Sequence, residues 1–281
     1  MNATGIDFSQ QASAPALRLP TLFIPHGGGP CFFMDPPPSA PHAWERMAQY
    51  LRGIADSVGT RPKAVLVISA HWETPDPTVG SAPNPPLLFD YYGFPEHTYK
   101  LEYPAPGSPE LAARVRDLLA DAGIASQEDA TRGFDHGVFV PFLLMYPAAD
   151  IPVVQLSLRA DLDPAAHIAI GQALAPLRDE GVLIVGSGMS YHNLRQFWSD
   201  ETQPAQRFDA WLSDAVEDSD PVSRNARLEA WSHAPGAQAA HPRSEHLLPL
   251  MVAAGAAGAD RGRRTYSDQV FGKAVSGFQF G

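Results

Sequence analysis

The chain has 281 residues, 44% hydrophobic and 18% charged, enough for one large or two small globular domains with ample core. Its formal net charge of −11, without any Lys/Arg cluster, argues against nucleic-acid binding, and no apolar run approaches the ~20 residues of a membrane span. One cysteine, Cys31, excludes an internal disulfide framework and a Cys-rich zinc module.

The opening MNATGIDFSQQASAPALRLP lacks a basic n-region followed by an apolar h-region. It reads as a flexible leader over residues 1–19 of a cytoplasmic protein, ahead of one domain over 20–281. The run Thr21 to Ile24, cut off by Pro25-His26-Gly27-Gly28-Gly29-Pro30, predicts a buried strand opening into a loop. Residues 43–58 carry Trp44, Met47, Leu51, Ile54 and Val58 near three-four spacing, which predicts a helix. Ala64 to Ile68 is continuously apolar and predicts a strand buried on both faces. Residues 75–107, rich in proline and aromatics, predict a short strand or two and a long aromatic loop. Ser108-Pro109 opens a helix to about Ala122, and Asp163-Pro164 opens another to about Arg178. Strands follow at Pro152 to Leu158 and Gly181 to Val185, then helices over 204–218, 222–231 and Pro242 to Ala254, and a weakly alternating tail over 265–279. Strands alternating with helices predict a single α/β domain with a mostly parallel or mixed sheet flanked by helices.

Of ten histidines, three share a context: His26 follows the first apolar run, His71 the second and His192 the third. Loops at the carboxyl ends of parallel strands converge on one edge, where ligands bind. That places three imidazoles together and makes a metal site at the sheet edge the natural expectation. Histidine without cysteine points to zinc, iron, manganese or copper. His246, in the first turns of the last predicted helix, and Glu245 beside it compete for a further ligand position. On a helix the two point about 100° apart, so only one reaches the metal. Glu245 would complete a two-His-one-carboxylate triad; His246 would give an all-imidazole site. His136, in Phe134-Asp135-His136-Gly137, also precedes an apolar segment. His42, His97, His167, His233 and His241 read as surface or loop residues. The triple glycine matches no phosphate-binding motif, and Gly186-Ser187-Gly188-Met189-Ser190 is not a nucleophile elbow. Phe89, Tyr91, Tyr92, Phe94, Tyr99 and Tyr103 either wall a flat pocket or pack beneath a long loop.

The motifs P-H-G-G-G-P, S-A-H-W-E, G-F-P-E-H-T-Y-K-L-E-Y-P-A-P-G-S-P, G-F-D-H-G, D-I-P-V-V-Q-L-S-L, G-S-G-M-S-Y-H-N-L-R and H-P-R-S-E-H-L-L-P-L-M-V-A-A-G-A-A-G fall in order from about residue 20 to 280. Together they resemble the 4,5-DOPA dioxygenase-like family of class III (protocatechuate 4,5-dioxygenase-type) extradiol ring-opening dioxygenases. The resemblance implies an α/β fold with one divalent metal, Fe(II) for ring opening or Zn(II) as often bound in relatives. It implies His26, His71 and His246 as ligands, His192 as a further ligand or the acid/base, and His136 as a catalytic-pocket residue that contacts substrate. The expected partners are a small catechol-type aromatic and O2, with no nucleic acid and no membrane. Two other functions fit a histidine cluster: a zinc-dependent hydrolase, and a non-catalytic metal- or peptide-binding protein on the same scaffold.

Overall fold

The computed structural model describes residues 18–281. Residues 1–17, most of the expected leader, lie outside the described residues. The chain runs β1 (Thr21–Pro25), α1 (Glu45–Arg52), α2 (Ile54–Val58), β2 (Ala64–Thr74), β3 (Thr78–Gly80), α3 (Pro109–Asp121), β4 (Gln127–Asp129), α4 (His136–Met145), β5 (Val153–Arg159), α5 (Pro164–Leu174), β6 (Val182–Gly188), α6 (Gln203–Val216), α7 (Pro221–Glu229), α8 (Ala237–Ala240), α9 (Leu248–Ala257), β7 (Gly262–Val270) and β8 (Lys273–Phe280).

Eight strands form one mixed sheet in the order β4-β3-β5-β2-β6-β1-β8-β7. Its centre is parallel, β5-β2-β6-β1, and the β7–β8 hairpin closes one side antiparallel. The central strands are buried on both faces, which is why they read as unbroken apolar runs. Side chains alternate along β6. Gly186 and Gly188 face the turn and helix of α9, where an added Cβ would meet Pro249 O at 2.3 Å and His246 O at 2.1 Å. Ser187 faces the other way, onto α4. The two faces are thus covered by α4 and α9, both apolar all round and almost wholly buried.

The capping signals hold: Ser108 Oγ accepts from Leu111 N, and the Asp163 carboxylate accepts from Ala165 N. Several boundaries differ from expectation. The 43–58 helix breaks at Gly53 into α1 and α2. β2 continues past Ile68 to Thr74 through a register shift against β5, so His71 lies inside a bulged strand rather than after it. The last long helix begins at Leu248; Glu245 and His246 sit in the preceding turn, where Ser244 O accepts from Leu247 N and Leu248 N. Helical spacing therefore does not govern the pair. The strand β4 and the helices α4 and α8 carried no amphipathic signal and were not expected. His167 lies buried within α5, against the expectation of a surface or loop position, and His241 lies in a loop as expected but is fully buried. His167 bridges Asp163 O and Arg159 N, and His241 holds Ser190 O.

Two buried arginines close α9. Arg178 donates to the carbonyls of Ala256 and Ala257, and Arg224 to those of Ala254 and Gly258. They satisfy the carbonyls that a helix end leaves unpaired, with the charge sign the helix dipole favours.

Candidate active site

Adjacent parallel strands β2, β6 and β1 bring the expected histidines together. His26 follows β1, His71 rides on the bulge of β2, and His192 lies in the loop after β6. His136 arrives on the first residue of α4 and His246 from the turn before α9. All five line one cavity of about 620 Å³. The ring centroids of His26, His71 and His246 stand 4.9, 5.2 and 4.8 Å apart. His136 lies 3.9 Å from His71 and 5.6 Å from His26. His192 stacks on His246 at 3.3 Å with 16° between the planes.

The Nδ1 atoms of His26, His136, His192 and His246 each have a partner, and His71 Nδ1 faces Asp90 Oδ2 at 3.8 Å. Pro141, inside α4, has no N–H, so the Gly137 carbonyl one turn back lacks its helical donor. The Ser187 hydroxyl donates to that carbonyl, and its oxygen is left to accept from His26 Nδ1 at 3.1 Å. His136 Nδ1 lies 2.8 Å from Asp90 Oδ1, which also accepts the His136 backbone N–H at 3.0 Å. His246 Nδ1 and His192 Nδ1 both face Glu245 Oε1, at 2.9 and 3.2 Å. A carboxylate only accepts, so these contacts fix Nδ1–H tautomers and leave Nε2 lone pairs free. Nε2 of His71 and Nε2 of His26 lie 3.1 Å apart, two nitrogens aimed at one point.

The sequence did not point to the supports behind these rings. Asp135 is fully buried and accepts from Ser69 Oγ at 2.7 Å, from Gln155 Nε2, and from Arg132 Nη2 at 3.2 Å. Arg132 also donates to His71 O at 3.1 Å and lies over the Trp72 ring, so this cluster pins the bulge. Arg243 pairs with Glu73 and approaches Glu245. A lone acid within an aromatic loop was the only available signal for Asp90.

Burial, reinforced by the neighbouring imidazoles, lowers the pKa of His26 and His71 well below the ordinary value, and burial takes His246 down to about 3. Burial pushes the Glu245 carboxyl up, but hydrogen bonds from His192 and His246 outweigh it and hold it well below the usual carboxylate range. Asp90 follows the same pattern: burial raises it, and the His136 hydrogen bond brings it down. Neutral imidazoles backed by ionised carboxylates form a donor set suited to one divalent metal. The ligand atoms of His26, His71 and His136 lie within 4.8 Å of one another, as do those of His192, Glu245 and His246. Glu245 does not line the cavity, whereas His246 does. Of the aromatic stretch, Tyr91 and Phe94 line the cavity, Phe89 and Tyr99 pack against them, Tyr103 is buried beside Phe142, and Tyr92 is exposed.

Residues 20–278 match the family described as the catalytic LigB subunit of aromatic ring-opening dioxygenase. The chain belongs to that family. This ring-opening dioxygenase is 46% identical over 243 residues to 4,5-DOPA dioxygenase extradiol of Beta vulgaris, covering 85% of this chain and 87% of that protein. It is 38% identical over 281 residues to dioxygenase tasH of Hapsidospora irregularis, covering 93% and 85%. The crystal structure of uncharacterized protein JW3007 from Escherichia coli K12 superposes with a TM-score of 0.75 at 30% identity, covering 94% of this chain and all of that one. The chain is a metal-dependent extradiol dioxygenase. No helix among its described residues is long and apolar enough to cross a membrane.

Proposed function

We propose that this dioxygenase opens the ring of a catechol-type substrate with O2, using one Fe(II) held by His26, His71 and His246. The spacing of the imidazoles carries this reading. An ion about 2.1 Å from each Nε2 sits about 3.2 Å from each ring centroid, so three ligating rings stand roughly 4.5–5.2 Å apart. The triangle of His26, His71 and His246, at 4.9, 5.2 and 4.8 Å, meets that requirement. His136, 3.9 Å from His71, and His192, 3.3 Å from His246, lie closer to those rings than this spacing, and we assign them outside the ligand triangle. Their roles are on the substrate.

When bound, iron supplies the redox coupling between aromatic diol and O2; zinc, which has no redox chemistry, fills the same donor set without that coupling. His192 takes a proton from a catechol hydroxyl at Nε2, its Nδ1–H held by Glu245. The same nitrogen returns the proton as the ring opens. His136, held by Asp90, orients the second hydroxyl and is the second candidate for proton transfer. Tyr91 and Phe94 flank the flat ring and exclude water. Both atoms of O2 enter the product, so no external reductant is required.

The test is anaerobic loading with Fe(II), then addition of substituted catechols and air. One O2 consumed per catechol, a coloured ring-fission product, and no uptake by the zinc-loaded protein are the expected results. Absence of O2 uptake across the panel by iron-loaded protein would overturn the reading.

A further inference from the structure

We propose that the natural substrate carries an uncharged apolar arm, preferably a second aromatic ring, and no carboxylate; this rests on the catechol reading above. Besides the histidines, the cavity is walled by Trp44, Leu194, Phe197, Trp198 and Phe271. Among the described residues that line the cavity there is no lysine or arginine, and the one charged group besides the histidines is Asp35. The arginines behind the site are engaged elsewhere: Arg132 by Asp135 and His71 O, Arg243 by Glu73 and Glu245. A substrate carboxylate entering this chamber away from the metal loses hydration and gains no cationic side chain, beside an acid of the same charge. An apolar arm covers Trp198 and Leu194, which are 69% and 67% exposed at the mouth.

Backbone strain marks the same wall independently. Phe271 and Gly272 form the two-residue turn between β7 and β8, with φ of 49° and 77°. Such turns take Asn, Asp or Gly at the first position, because in the left-handed region a Cβ crowds the following carbonyl oxygen. A phenylalanine here is costly locally. Its ring lies 4.2 Å from Trp198 and 5.6 Å from both Trp44 and Phe197, closing an aromatic wall on the cavity. Ala149 and Leu162 also have positive φ, and of these three non-glycine residues Phe271 is the one that lines the cavity.

The experiment compares catechol, 4-phenylcatechol, 3,4-dihydroxybenzoate and DOPA on the iron-loaded enzyme, by O2-uptake kinetics and by anaerobic calorimetry. The expected result is kcat/KM and affinity for 4-phenylcatechol at least about tenfold above either carboxylate. In Phe271→Asn and Trp198→Ala, the ratio of kcat/KM for 4-phenylcatechol over catechol falls about tenfold, while Phe271→Asn keeps its Tm because the strain is relieved. A carboxylate that binds or reacts as well as 4-phenylcatechol overturns the proposal. So does a variant that lowers both catechols equally, which marks a merely structural wall. If no catechol consumes O2, the proposed reaction fails, and the calorimetric ranking still decides the specificity.

Discussion

The hydroxyl of Ser187 has one proton, and the unpaired carbonyl of Gly137 takes it. His26 Nδ1 must then be the donor to Ser187, which fixes the tautomer that presents a lone pair at Nε2. Ser187→Ala removes both contacts. Metal affinity should fall about 10–100-fold, as it does when an outer partner of a ligating histidine is lost. The carbonyl left buried without a donor should lower stability by about 1–3 kcal/mol. Metal titration and chemical denaturation of the same variant separate the two effects. His192 makes a different prediction. With its ring stacked on His246 and its Nδ1 held by Glu245, His192→Ala should retain metal and lose turnover by about 10²–10⁴-fold, read from metal content and O2 uptake. Loss of metal along with turnover would make it a ligand.

At the scale of elements, the end of β6 and the turn before α9 are in backbone contact. Met189 N donates to His246 O at 3.0 Å, and a Cβ on Gly188 would lie 2.1 Å from that same oxygen. Gly188→Ala must therefore move the turn that carries His246. It should cost about 1–3 kcal/mol, the usual penalty of overpacking, and should lower metal occupancy, measured by thermal unfolding and atomic spectroscopy. This contact also shows what a sequence withholds. The strands were legible because each central one is an unbroken apolar run, and three site histidines were legible because each stands near a strand's carboxyl end. Two helix starts were legible from Ser108 and Asp163 followed by proline. α4 was not, because a helix apolar on every side has no periodicity to detect. Nor was the true start of α9: the turn at Ser244 continues the helix-like pattern of the residues after it. Asp90, Ser187 and Arg132 act across the fold, and their partners lie far away in the chain.

For the whole molecule, the buried imidazoles set the response to acid. His26, His71 and His246 stay neutral when folded, as does His241, which burial takes down to about 4. Unfolded, each binds a proton near pH 6.5. Below that pH the unfolded chain binds more protons than the folded one, so stability is full above about pH 6.5 and falls toward pH 4. His241 alone accounts for about 3 kcal/mol of that loss. Burial raises Asp135 and Asp209, which gives a partial offset of opposite sign as they take up protons in the folded state. Urea denaturation of metal-free protein from pH 8 to pH 4.5 should show this acid limb, and His241→Gln should show a shallower one. The histidines also come from five segments between residues 26 and 246, and the strands that carry them pair over long separations, as Thr21 with Ile184. Closing such loops is slow and comes late in folding. Until those separated segments have closed on one another, the five imidazoles are not assembled around one point. A bound ion is thus the mark of a finished fold, and it prolongs the life of the native state without hastening its birth.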